Sequence, residues 1–197
     1  MNLALFDFDG TITTHEMFAP FVRFAVPPGR RMLGNVVFAP IYAGYKLGMV
    51  SGSAIRSSVV RFGFSGVAAD TMHEAGKRFS NDILPNVVRP HALERMRWHQ
   101  AQDDTVAVVS GSLDVYLTHW CSQHNVDLIC SRLETRDGRL TGRYVGEQCV
   151  GEEKAQRVRD RYDLGGFGQL YAYGDTHEDM AMLALAHRKY FRWEEMA

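Results

Sequence analysis

Leu3-Ala4-Leu5-Phe6-Asp7-Phe8-Asp9-Gly10-Thr11 runs from four apolar residues into an acid, a second acid two positions later, then a glycine and a hydroxyl. A short apolar run stopped by a polar turn reads as a buried strand. Asp9 projects to the same side as Asp7 wherever the extended geometry persists, which forces two carboxylates together. Like charges at that range raise each other's pKa unless a cation or a proton intervenes. The pair therefore calls for a metal, an acid/base role, or both.

Similar apolar runs occur at Thr105–Val109, Val126–Cys130 and Gln169–Tyr173, with a weaker one at Lys189–Arg192. Most are followed by helical patterns, and this alternation predicts an α/β fold: a doubly wound parallel sheet with helices on both faces. From about Thr13 to Val88 the alternation lapses into several helices punctuated by Pro20, Pro27-Pro28-Gly29, Pro40, Gly52, Gly63 and Pro85. The expected organisation is a core of residues 1–12 and 89–197, with residues 13–88 inserted as a helical cap over one end of the sheet. Asp137-Gly138, between alternating residues, predicts a hairpin within Arg132–Val145.

Ser110-Gly111-Ser112 ends the second apolar run just before a helical pattern, where a hydroxyl and free backbone N–H groups can seat an anion. Lys154 opens a helix after Gly151-Glu152-Glu153, and Gly174-Asp175-Thr176-His177-Glu178-Asp179 follows the strand Gln169–Tyr173. Each alone has an ordinary explanation as a turn, a solvated lysine or an acidic strand end. In an open parallel sheet, however, the carboxyl ends of the strands converge at the switch point between sheet halves. Asp-x-Asp, Ser, Lys and Gly-Asp-x-x-x-Asp, in that order, make a joint functional reading.

That order resembles the haloacid dehalogenase superfamily, subfamily IB, the branch that includes phosphoserine phosphatase. Asp7-Phe8-Asp9-Gly10-Thr11 matches its first motif, Ser110 its second, Lys154 its third, and Gly174-Asp175 with Asp179 its fourth. The resemblance implies a Rossmann-like core, a phosphoric monoester hydrolase and a Mg²⁺ ion held by Asp7, the backbone carbonyl of Asp9, and Asp175. It further implies that Asp7 is the nucleophile and Asp9 the acid/base, with Thr11, Ser110, Gly111 and Lys154 on the phosphoryl group and Asp179 orienting metal waters or Lys154. Glu16 occupies the place of a substrate-selecting cap glutamate, and Arg56 and Arg61 are weaker candidates for contacting substrate. The implied substrate is a small phosphorylated metabolite, phosphoserine-like. The fourth motif departs from the phosphoserine phosphatase pattern. Glu16-Met17-Phe18, the apolar cap and the short aromatic tail look like hydrolases that include bacterial phosphatidylglycerophosphate phosphatases.

Of other classes, a phospho-accepting receiver domain also combines acids, a hydroxyl and a lysine. It carries its phosphorylated Asp on a later strand, with no acid two positions on. Dehalogenase chemistry has no use for Asp9. Composition narrows the partners: 46% hydrophobic and 23% charged residues with a formal charge of −1 lack the bias of a disordered chain and the basic excess of a nucleic-acid binder. Cys121, Cys130 and Cys149 read as free thiols in a reducing cytoplasm, and no export signal is visible. The eight histidines form no metal-ligand spacing. Val36–Tyr45 is apolar but interrupted by Pro40 and short of the roughly 20 residues a spanning helix needs. It is expected to form a buried helix pair in preference to a membrane contact.

Overall fold

The computed structural model describes residues 1–46 and 49–196. Its centre is a six-stranded sheet in the order β3-β2-β1-β6-β7-β8, formed by β1 (Leu3–Phe6), β2 (Thr105–Leu113), β3 (Asp127–Ser131), β6 (Leu170–Gly174), β7 (Arg188–Phe191) and β8 (Glu194–Glu195). The first five are parallel, and β8 is antiparallel to β7. Each expected strand is present within a few residues, because continuous apolar runs suit strands covered on both faces. All four residues of β1 are buried. Their side chains alternate, Ala4 and Phe6 into one apolar cluster and Leu3 and Leu5 into the other, so one strand serves both layers.

Between β1 and β2 lie α1 (Phe18–Ala25), α2 (Pro28–Lys46), α3 (Gly52–Phe64), α4 (Ala69–Asp82) and α5 (Pro90–Gln100). The chain leaves and returns at one point: Thr14 N–H donates to Val87 O (2.8 Å), Arg89 N–H donates to Ile12 O (2.8 Å), and Thr13 bridges Val88. One apolar cluster runs from the sheet into the helices. In it, Phe21 of α1 and Phe79 of α4 meet Tyr116 of α6 (Asp114–His124) at ring separations of 4.9 and 5.2 Å.

The expected hairpin is β4 (Leu133–Arg136) with β5 (Arg139–Tyr144). Asp137 and Gly138 both take positive φ, 49° and 71°, as a tight hairpin turn demands. The hairpin supports the helical insert: Leu140 O accepts from Gly66 N–H, and Leu140 N–H donates to Val67 O.

Ser110-Gly111-Ser112 falls at the end of β2 just before α6, with the register against β3 shifting between Ser110 and Leu113. One reading needs correction. Pro40 does not break the helix, since α2 runs through it, and the apolar run is not buried: Val36 is 72% and Val37 46% exposed. Phe38 alone of the run's aromatic side chains described here packs inward, against Phe62. The side chains of Tyr42, Ala43 and Tyr45 lie outside the described residues. Among the described residues no helix is long and apolar enough to cross a membrane.

α4 and α6 approach so closely that a Cβ on Gly76 would stand 1.9 Å from Val115 O. Gly76→Ala is therefore expected to destabilise the fold by about 2 kcal/mol through overpacking, a fall in Tm of roughly 4–8 °C. Gly29→Ala, where nothing lies within 4 Å, should leave Tm unchanged or slightly raised in the same thermal melts.

Candidate active site

β1 pairs with β2 on one side and β6 on the other, aligning Phe6 with Val108 and with Tyr173. The residues just past those partners come together at the carboxyl end of the sheet, where the strand order reverses. A cavity of about 470 Å³ opens there, lined by Asp7, Asp9, Ser110, Gly111, Lys154 and Asp175 from the core, and by Glu16 and Arg56 from the helical insert. Eight of the eleven sequence-derived candidates thus share one cavity.

Lys154, on α7 (Glu152–Arg161), is 2% exposed and donates to both Asp7 Oδ1 and Asp179 Oδ1 at 2.5 Å. Burial works to lower its pKa, but the two carboxylates outweigh this and raise it, so the ammonium is charged. Asp179 Oδ2 accepts from the N–H groups of Asp175 (3.1 Å) and Thr176 (2.9 Å) and from the Thr176 hydroxyl (3.0 Å). Burial raises the Asp179 carboxyl, but Lys154 and these N–H donors prevail and hold it below its ordinary value. Asp7 goes the other way: burial, with Asp179 and Asp9 nearby, outweighs Lys154 and pushes its carboxyl well above the usual range.

Asp7, Asp175 and Asp179 offer oxygens within 4.8 Å of one another. An all-carboxylate set suits a hard divalent cation, and the cluster carries more negative charge than Lys154 neutralises. Room for Asp175 is made by Gly10, at φ 81°, where a Cβ would stand 2.3 Å from Asp175 Oδ2. The donor set fits Mg²⁺.

Asp9 and Thr11 differ from expectation. The Asp9 carboxylate does not join the acidic cluster: it accepts from Met17 N–H (2.9 Å) and, in a short contact, from the Ser112 hydroxyl. Burial pushes its pKa up to about 6 despite those donors, a value suited to both giving and taking a proton. Thr11, 2% exposed, does not face the cavity; its hydroxyl donates to Asp175 Oδ1 (3.2 Å) and so orients that carboxylate.

Glu16 is exposed at the cavity wall, while Arg56 of α3 pairs with Glu178 (2.9 Å), tying the insert to the loop after β6. A Cβ on Gly111 would meet Val150 at 2.7 Å and Arg56 at 3.1 Å, so a larger residue there would press on both side chains. Arg61 does not line the cavity. Sequence reading missed three contributors. Ser112, grouped with the anion seat, instead holds Asp9. Arg89 lines the cavity and bonds Gly10 O and Thr13 O. Glu178, inside the fourth motif, anchors Arg56. Only the position of Arg89 at the re-entry point could have hinted at its role.

Among known proteins, Protein CicA of Caulobacter vibrioides is 30% identical over 193 residues, covering 96% of this chain and 85% of that protein. The histidinol-phosphatase of Neisseria meningitidis serogroup C is 26% identical over 200 residues, covering 93% and 86%. Of solved structures, a Bordetella pertussis protein of unknown function superposes with a TM-score of 0.82 at 22% identity over 96% of this chain and 89% of that one. A substrate-bound phosphoserine phosphatase superposes at 0.68 and 21% identity over 96% and 85%. These folds agree with the α/β architecture above. The profile of the haloacid dehalogenase-like hydrolases matches residues 4–184, nearly the whole chain, and the protein belongs to that family.

Proposed function

We propose that the chain is a Mg²⁺-dependent phosphomonoesterase that transfers the phosphoryl group first to Asp7 and then to water. The observation that carries this reading is the convergence of Asp7, Lys154, Ser110 and Asp175 in one cavity with Asp9, an acid of pKa about 6, at its edge. Ser110, Gly111 and Lys154 hold the phosphoryl oxygens, and stabilising charge there is most of what a protein contributes to this chemistry. An Asp7 oxygen forms a bond to phosphorus as the ester P–O bond breaks. The departing alkoxide takes the proton of Asp9. A water then loses a proton to Asp9 and attacks phosphorus, releasing phosphate and the Asp7 carboxylate and leaving Asp9 protonated again.

Asp7, the backbone carbonyl of Asp9, and Asp175 would hold Mg²⁺, with Asp179 fixing Lys154 beside it; bound there, the ion neutralises phosphoryl oxygens and the cluster's excess negative charge. Residues 13–88 act as a cap that excludes water and selects substrate, contributing Glu16 and Arg56. The favoured substrate is a small phosphomonoester of an amino alcohol. Two features support it: the Glu16 carboxylate at the cavity wall, and similarity to proteins named for phosphoserine and histidinol phosphate, both amino-alcohol esters.

Three outcomes test the reading. Turnover of p-nitrophenyl phosphate should require Mg²⁺ and vanish with EDTA, Ca²⁺ replacing it poorly because its looser shell spoils in-line geometry; full activity in metal-free buffer overturns the assignment. In rapidly quenched reactions, intact-protein mass spectrometry should find a phosphoryl adduct on Asp9→Asn and none on Asp7→Asn. Gly10→Ala should raise the Mg²⁺ concentration for half-maximal activity roughly 10–100-fold by displacing Asp175, with a matching loss of Mg²⁺-induced thermal stabilisation.

A further inference from the structure

A second cavity, of about 620 Å³, lies within the helical insert and shares Glu16 and Arg56 with the catalytic cavity. Its lining is largely apolar, with Phe18, Ala19 and Val22 from α1 and Ile55 and Val59 from α3, among four charged residues. Arg23 and Arg31 line this cavity alone, and neither forms a salt bridge among the described residues. Arg23 lies five residues along α1 from Phe18, about 7.5 Å at the helical rise. The two arginines line the apolar cavity and not the catalytic one.

The junction itself holds an unmet donor. Arg56 gives its Nη2 to Glu178, but its buried Nε–H has no partner among the described residues. Such a group costs free energy unless an acceptor arrives.

We infer that the apolar cavity is the subsite for the alcohol portion of the substrate, and that the enzyme takes phosphomonoesters whose alcohol continues into an apolar chain. This rests on the phosphomonoesterase reading and extends the substrate class given above: the ester keeps a polar group beside Glu16 and carries an apolar chain beyond it. The phosphoryl group sits over Asp7, the ester region passes Glu16 and Arg56, and the chain lies between α1 and α3. The same chemistry is supplied by a dissolved metabolite or by a monoester in a lipid surface. For the latter, α2 continues from Arg31 into the exposed Met32, Leu33, Val36 and Val37.

The test is kcat/KM with Mg²⁺ for ethyl, butyl, hexyl and octyl phosphate below their micelle concentrations, with p-nitrophenyl phosphate as reference. Wild type should gain about three- to fourfold per buried methylene until the cavity is filled. Val22→Trp, which fills the cavity without touching the catalytic groups, should lose at least tenfold on octyl phosphate and leave ethyl phosphate unchanged; a thermal melt checks its fold. A flat series on wild type that turns over p-nitrophenyl phosphate overturns the subsite and spares the phosphatase reading. No turnover of any compound removes both. A final arm offers a long-chain phosphomonoester in anionic vesicles. Turnover there as well as in solution supports the subsite with a lipid source, and turnover in solution alone supports it with a dissolved one.

Discussion

Burying an ammonium without partners costs several kcal/mol, yet Lys154 is 2% exposed and charged. It is held there by Asp7 from the end of β1 and by Asp179 from the segment after β6, so one side chain on α7 joins three separate parts of the chain. Asp179 can serve because its other oxygen is saturated by backbone N–H groups and the Thr176 hydroxyl, an arrangement that fixes the turn after β6. Gly174 is part of the same constraint, since a Cβ there would stand 2.6 Å from Asp179 Cβ. Removing either carboxylate would leave part of the remaining charge unmatched in a low-dielectric setting, the case in which buried ion pairs matter most.

The constraint leaves a surplus that function can use. Lys154 donates to both carboxylates at 2.5 Å, yet burial holds Asp7 above its ordinary value while Lys154 and backbone donors hold Asp179 below its own. Asp175, half-exposed and also raised by burial and by Asp179, adds to the excess. The fold thus concentrates negative charge at one point and leaves it short of a second cation. Asp9 stands apart from that cluster because its carboxylate is held by Met17 N–H, just before α1, and by the Ser112 hydroxyl of β2. Two acids separated by a single residue, Phe8, occupy distinct electrostatic environments, which is what distinct chemical roles require.

Much of this was legible in the sequence. Strands buried on both faces must be continuously apolar, and a carboxylate or serine at their end marks where the chain reaches the switch point. Asp137-Gly138 disclosed the hairpin because few residues accept two consecutive positive φ values. What escaped was orientation. Thr11 next to Gly10 reads as a phosphate-facing hydroxyl, and only the placement of Asp175, far along the chain, turns it into a support. Ser112 alternates with Ser110 in sequence, yet the register shift in β2 breaks the simple face assignment. The apolar run of α2 read as core because hydropathy records a preference for burial without recording whether a neighbour exists to supply it.

The same asymmetry explains why reaction class is better determined than substrate. Asp7, Ser110 and Asp175 stand at or just past the carboxyl ends of paired strands, and Lys154 of α7 is tied to Asp7 at 2.5 Å. The helices of the insert are positioned by side-chain packing instead, where Phe21 and Phe79 meet Tyr116 of α6. Small changes in those contacts alter the space between α1 and α3 without moving Asp7 or Lys154. Arg56 lies where the two regimes meet: it is carried by α3, held by Glu178 and packed over Gly111. It therefore links the seating of the insert to the segment after β6 that carries Asp175 and Asp179.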